Sequence, residues 1–140
     1  MKTKLINYPK ISIVVPTFER IDFLEECIKS IIDQNYPNIE LFICDGGSKN
    51  ESIFKIFKKY EKSITNWDSI PDKGHSEAIR RGINKSTGDI IGYLCSDDMY
   101  EKNCLFEVAY SYANNPEYGV FYGNSVTIDE NGKVVDYKRC

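Results

Sequence analysis

The feature that most constrains this chain is an alternation of short β-branched runs with amphipathic helical stripes. Ile11-Ser12-Ile13-Val14-Val15 is stopped by Pro16 and reads as a buried strand. Phe23, Leu24, Cys27, Ile28, Ile31 and Ile32 then recur at helical spacing. Asp22 with Glu25 forms a capping-box pattern that starts this helix near residue 22. Ile39 to Cys44 is a second strand, ended by Asp45-Gly46-Gly47. Ser48 and Glu51 repeat the capping-box pattern ahead of a helix carrying Ile53, Ile56, Phe57 and Tyr60. Ile64 to Trp67 predicts a short third strand. A helix with Ala78, Ile79, Gly82 and Ile83 on one face follows Pro71-Asp72-Lys73-Gly74. Thr87-Gly88 turns the chain into a strand from Asp89 to Leu94. A last helix, Asn103 to Asn114, ends before Pro116, which excludes its continuation.

Strand and helix in repeated alternation predict an α/β domain with a mainly parallel central sheet and flanking helices. The tail differs. Val120-Phe121-Tyr122 and Ser125 to Ile128 read as strands, and Glu130-Asn131-Gly132-Lys133 predicts a hairpin turn before Val134-Val135. No repeat or linker interrupts residues 1–140, so the chain reads as a single domain.

Eighteen basic against 21 acidic residues give a net charge of −3, which argues against a general nucleic-acid binder. No apolar run reaches the roughly 20 residues needed to span a bilayer. The opening MKTKLINYPK lacks the apolar core of a secretory signal, so a cytoplasmic location is expected. The five cysteines contain no CxxC pair, and Cys27, Cys44 and Cys95 lie in apolar runs, where they read as reduced core residues.

In open α/β sheets, ligands sit beyond the carboxyl ends of the strands. Pro16, Thr17 and Glu19 follow the first strand, Asp45 the second, Asp72 and Lys73 the third, and Asp97 and Asp98 the fourth. Four separated segments thus converge on one rim. Asp45-Gly46-Gly47-Ser48, Lys73-Gly74 and Ser86-Thr87-Gly88 are small enough for backbone to approach a ligand, although each glycine taken singly is equally a plain turn. Neither GxxxxGK[ST] nor GxGxxG occurs. The adjacent acids Asp97 and Asp98 call for a cation. Oxygen ligands on a loop suit Mg²⁺ or Mn²⁺ shared with substrate phosphates. The alternative is an acidic loop in which Asp98 or Asn103 helps cap the helix after it. His75, at a helix start, reads as a capping or surface residue, or as one approaching a ligand.

The blocks ISIVVPTFER, SIIDQNYPNIELFICDGGS, PDKGHSEAIRRGINKSTGDIIGYLCSDD and NNPEYGVFYGN resemble the family 2 glycosyltransferases from Ile11 to about Gly123. The resemblance implies a Rossmann-like GT-A fold that binds a nucleotide-diphospho-sugar. By it, Ser96-Asp97-Asp98 matches the DxD-type motif, with Asp98 the metal ligand and Asp97 facing ribose or donor sugar. Pro16, Thr17 and Glu19 match positions around the nucleotide, Asp45 the acid that bonds the base, and Lys73 a polar position near the donor. The family often reads DDGS where this chain has Asp45-Gly46-Gly47-Ser48, so the second acid is missing.

The implied activity is metal-dependent, inverting transfer of a sugar to an acceptor hydroxyl, in bacterial surface polysaccharide synthesis. A UDP-sugar is the expected donor and a saccharide or lipid-linked saccharide the expected acceptor, at the inner face of the membrane without spanning it. The family's catalytic base is an Asp or Glu on a later segment, and no residue of this chain matches it. The chain therefore reads as the donor-binding portion, without the acceptor-binding part. The alternative function is donor binding without turnover. A phosphoacceptor signalling domain would need its acid pair after the first strand, where this chain has PTFER.

Overall fold

The computed structural model describes residues 7–140. It forms two compact units, one through Glu107 and one from Val108 to Cys140. In the first, strands β1 (Ile11–Thr17), β2 (Ile39–Asp45), β3 (Asn66–Ser69) and β4 (Ile90–Tyr93) make a parallel sheet in the order β3-β2-β1-β4. Helices α1 (Leu24–Ile32), α2 (Glu51–Lys59) and α3 (His75–Lys85) connect them, and α4 (Cys104–Asn114) runs across the boundary between the units. The second unit holds an antiparallel hairpin of β5 (Ser125–Ile128) and β6 (Val134–Lys138).

Every residue of β1 is buried, as the unbroken β-branched run requires of a strand covered on both faces. Burying each such Ile or Val contributes roughly 1.5–3 kcal/mol. The expected stripe of α1 supplies buried Leu24, Cys27, Ile28 and Ile31, and α2 adds Ile53 and Phe57. Phe57 meets Trp67 of β3 at a ring-centroid distance of 5.1 Å. On the other side, α3 packs against β1 through Gly82. A Cβ at that position would stand 2.3 Å from Val14 Cγ1, so only glycine permits this approach.

Both capping boxes are corrected. Phe23, left-handed at φ 71° and half exposed, precedes α1 with no side-chain cap. Asp22 lies outside the helix, and Glu25 instead accepts from Tyr60 Oη at 2.6 Å. Asn50 caps α2 by accepting from Ser52 N–H, because the Ser48 hydroxyl is committed elsewhere. The third strand begins two residues later than its apolar run, since Ile64 is packed ahead of it and Thr65 already bonds Leu41. Val120 to Tyr122 form no strand. The hairpin turn is as read, with Asp129 Oδ1 accepting from the Asn131 and Lys133 amides and Gly132 at φ 78°.

Ser86-Thr87-Gly88 lies not at the rim but at the opposite end of the sheet, where it closes a polar knot. Glu40 accepts from Ser12 Oγ at 2.7 Å, Thr87 Oγ1 at 2.6 Å and Thr87 N–H at 3.0 Å, with Lys10 Nζ at 2.6 Å. A Cβ on Gly88 would strike Ser12 Oγ at 2.6 Å. Burial alone would raise the Glu40 carboxyl, but the bonds from Lys10, Thr87 and Ser12 outweigh it and hold the group down at about 2. With the folded-state pKa depressed below the ordinary 4.5, its stabilisation is present above pH 4.5 and disappears as pH falls towards 2. Glu40→Gln should cost about 2 kcal/mol at neutral pH. Urea unfolding of both forms should show the gap narrowing steadily below pH 4.5.

Candidate functional site

The carboxyl ends of the strands set the site by register. Thr17 pairs with Asp45 and Asp45 with Ser69, so the loops after β1, β2 and β3 leave the sheet side by side. They border a cleft of about 440 Å³ lined by Pro16, Thr17, Phe18, Arg20, Gly46, Asp72, Gly74, His75, Ala78, Cys95, Ser96 and Asp97. Of the expected site residues, Pro16, Thr17 and Asp97 line it directly. Asp98 adjoins Asp97, while Glu19, Asp45 and Lys73 stand outside the lining.

Asp45 is fully buried, and both its carboxylate oxygens are engaged. Oδ2 accepts from Gly47 N–H at 3.1 Å, Ser48 N–H at 2.7 Å and Ser69 Oγ at 2.6 Å, and Oδ1 accepts from Ser48 Oγ at 2.6 Å. The carboxylate thus knits its own loop and β3. Ser48 Oγ in turn accepts from Glu19 N–H at 2.6 Å, and Glu19 Oε1 accepts from Lys49 N–H at 2.6 Å. Glu19 sits at φ 49°, a left-handed backbone held by this pair of bonds. Gly47 is required twice over, by φ 88° and by Pro71, whose Cγ would lie 2.9 Å from an added Cβ. At Gly46 an added Cβ would lie 3.2 Å from both Asp72 Oδ1 and the Phe18 ring. A second acid there would crowd a carboxylate already in place, which accounts for Asp45-Gly46-Gly47-Ser48 in place of DDGS.

Sequence reasoning missed Arg81. Its Nη1 donates to Asp72 Oδ2 at 2.8 Å, and its Nη2 to the Asp45 carbonyl at 2.9 Å and Asp68 Oδ1 at 3.2 Å. Burial works against its charge, but bonds from Asp72 and Asp68 lift its pKa above the ordinary arginine value. Asp72 Oδ1 also accepts from Gly74 N–H at 2.9 Å, which turns the chain into α3. The signal was available: position 81 falls three residues after Ala78 and one before Gly82, on the buried stripe. Lys73 is exposed, and its N–H donates to Glu77 Oε2 at 3.0 Å.

At the other wall, Arg20 Nη1 stands 3.6 Å from Asp97 Oδ2, both side chains being about half exposed. Asp98 has a different setting: partial burial first, and the Asp97 charge second, push its carboxyl above the usual range. Cys95 corrects the core assignment made for it. Unlike buried Cys27 and Cys44, it is half-buried and lines the cleft, with Sγ 3.9 Å from His75 Nε2. Burial, then Asp98 and Asp97, push its thiol up. His75, the first residue of α3, lines the cleft with its ring edge-on to Tyr93. Cys95, Asp97 and Asp98 each offer a ligand atom within 4.8 Å of the others, a spacing one cation can bridge. Thr17 Oγ1, buried in the cleft wall, has no protein partner. An orphaned hydroxyl beside an undercompensated acid fits a site that takes a ligand and a cation.

Removing the Arg81 guanidinium would leave Asp72, largely buried, without its cation, and Asp68 with Lys85 alone. Arg81→Ala should therefore cost about 3 kcal/mol in urea unfolding. Arg81→Lys should recover only part of this, because an ammonium cannot reach all three acceptors in the plane of a fork.

Residues 12–139 match the sequence profile of glycosyl transferase family 2. Escherichia coli WfgD, a UDP-Glc:alpha-D-GlcNAc-diphosphoundecaprenol beta-1,3-glucosyltransferase, is 28% identical over 125 residues, covering 89% of this chain and 49% of its own. The structure of S. aureus TarS 1-349 in complex with UDP-GlcNAc superimposes with a TM-score of 0.69 at 20% identity, over 76% of this chain and 32% of that one. The mannosyltransferase PcManGT of Pyrobaculum calidifontis, in complex with GDP-Man and Mn²⁺, gives 0.68 at 16% identity, over 89% and 37%. The chain spans less than half the length of the curated relatives it matches. Among the described residues no helix is long and apolar enough to cross a membrane. Its parallel sheet, flanking helices and carboxyl-terminal hairpin are those of the GT-A glycosyltransferases, and the chain belongs to glycosyl transferase family 2.

Proposed function

We propose that this domain holds a nucleotide-diphospho-sugar in the cleft and presents it for metal-dependent, inverting transfer to an acceptor hydroxyl. The observation that carries the reading is the convergence on one cleft of an unpartnered Thr17 hydroxyl and the Arg20–Asp97 pair, with the uncompensated Asp98 next to Asp97. The nucleotides bound to TarS and PcManGT support a nucleoside diphosphate as the ligand class, with UDP the expected nucleotide.

In this reading Pro16 and Thr17 border the nucleotide, and Thr17 Oγ1 gains the bond it lacks. Glu19 and Asp45 act through the loop they lock, which brings the Gly46 backbone to the base. Asp97 faces ribose or sugar, with Arg20 as its counter-charge. Lys73 adds exposed positive charge beside Asp72 and Gly74. Asp98 is the ligand for Mg²⁺ or Mn²⁺, which would offset negative charge on the departing diphosphate. The acceptor is a saccharide or lipid-linked saccharide of bacterial surface polysaccharide synthesis, met at the cytoplasmic face of the membrane; the WfgD activity supports that class.

A second reading, donor binding without turnover, is favoured by the carboxylates of the cleft. Asp72 is held by Arg81 and Gly74, and Asp97 faces Arg20, so neither is free to deprotonate an acceptor. Single-turnover assays with a UDP-sugar separate the two readings.

Asp98→Ala should weaken UDP binding in the presence of Mn²⁺ on the order of tenfold or more, the scale of a charge-assisted contact. The melting temperature should stay unchanged. Calorimetric titration with Mn²⁺ and again with chelator measures this. Binding that is unaltered and equally metal-dependent would refute the role given to Asp98.

A further inference from the structure

The start of α3 borders the cleft with polar groups that the helix itself does not use. Gly74 precedes the helix at φ 123°, and no side chain caps it. The Glu77 and Ala78 amides turn back to the Gly74 carbonyl at 2.9 and 3.4 Å, which leaves those of His75 and Ser76 outside the helix's own bonding. An added Cβ on Gly74 would meet nothing within 4 Å, so the space beside it is open. Gly74 and His75 both line the cleft. A second wall residue points to the same kind of ligand: Thr17, more than nine-tenths buried, carries a hydroxyl with no protein partner.

His75 adds a side chain to this helix start. Its ring stands edge-on to Tyr93 with centroids 6.0 Å apart, and its Nε2 is 3.9 Å from Cys95 Sγ. The two contacts hold the ring against the end of β4 and leave Nδ1 for a ligand. Cys95 Sγ in turn lies within 4.8 Å of a carboxylate oxygen on each of Asp97 and Asp98. The imidazole therefore stands on the side of the cleft given to the cation and the diphosphate.

We propose that His75 and the start of α3 seat the diphosphate of the donor, with the His75 imidazole and the first amides of the helix donating to phosphate oxygens. The inference rests on the donor-site reading and names the anion contact within it. An uncapped helix start favours negative charge, and a neutral imidazole keeps one N–H donor in either tautomer. The acids around the seat have counterparts that keep them from repelling an anion. Asp72 is held by Arg81, Asp97 faces Arg20, and Glu77 accepts from the Lys73 amide beside Arg80. Asp98 is left for the cation that arrives with the diphosphate.

His75 is the only histidine of the chain, so its ring Cε1–H gives one unambiguous proton resonance. That resonance should shift when UDP is added with Mg²⁺, and hold its position when UMP is added to saturation. His75→Ala should weaken UDP binding about tenfold, the scale of one hydrogen bond to a charged group, and change UMP binding less than about twofold. His75→Gln, which keeps a side-chain N–H, should recover most of the loss. Calorimetry measures the affinities. A resonance that answers UMP as it answers UDP overturns the proposal, as does a UDP affinity that His75→Ala leaves unchanged or lowers only in step with UMP. The resonance in the unaltered chain decides the matter even if the variants do not fold. Inorganic diphosphate separates this inference from the reading beneath it. A His75 shift with inorganic diphosphate and Mg²⁺, but no binding of either nucleotide, sinks the donor site and leaves an anion seat at α3. Metal-dependent UDP binding with His75 unmoved does the reverse, and no response to any of the three sinks both.

Discussion

A single guanidinium, Arg81, holds the walls of the cleft in place. It bonds the Asp72 carboxylate, the Asp68 carboxylate and the Asp45 carbonyl, and so joins the ends of β2 and β3 to the loop that enters α3. The fork geometry is what makes this possible, since planar donors at fixed angles reach three acceptors without a rearrangement between them. The reach depends in turn on Gly82, whose missing side chain lets α3 settle onto Val14. A larger residue there would lift the helix, and with it the cation. Packing of one glycine against one valine is thus coupled to the position of Gly74 and His75 at the cleft.

A second carboxylate does comparable work on the other side of the same loops. Asp45 is spent internally on Ser48, Gly47 and Ser69, and through Ser48 it also fixes the backbone of Glu19. The backbone of the β1 and β2 loops is therefore ordered before any ligand arrives, which lowers the entropy cost of binding. At the far end of the sheet, Glu40 closes β1, β2 and the start of β4 in the same manner. Buried acids tie both ends of the sheet. Among the described residues, the buried side-chain atoms left without a partner, Thr17 Oγ1 and Arg81 Nε, belong to the end that holds the cleft.

The parallel α/β order was legible because β1, β2 and the stripes of α1 and α3 obey their periods without conflict. What was not legible was the use of polar side chains. Asp22-Glu25 and Ser48-Glu51 have capping-box spacing, yet Glu25 turns to Tyr60 and Ser48 to Asp45, partners distant in sequence or competing locally. Sequence spacing records what a side chain can reach, not which of several acceptors wins. Asn66 and Asp68 obscured the bounds of β3 for a similar reason, as their polarity is answered by Lys85 and Arg81 from α3. Ser86-Thr87-Gly88 was misplaced because smallness serves a close-packed backbone and a bound ligand equally well. At the site, strand-end convergence brought out Thr17 and Asp97, whereas Cys95 was taken for core because it continues an apolar run. Its half-burial follows from β4 ending at Tyr93, two residues before it.

The two adjacent acids after β4 are not equivalent, and this inequality organises the chemistry of the rim. Asp97 is exposed and has an arginine beside it. Asp98 has none, and its ionised form is disfavoured both by partial burial and by its neighbour. Bringing a cation to Asp98 removes both penalties together, since the ion replaces lost solvation and screens Asp97. The same ion would need further ligands, and those within reach are Asp97, the Cys95 thiol and whatever the cleft contains. In the proposed complex a diphosphate would supply oxygen donors and negative charge where Arg20 and the ion leave positive charge. Protein, cation and anion would there each relieve a cost that the other two create, and the acid pair would be tolerable at the end of an apolar strand for that reason.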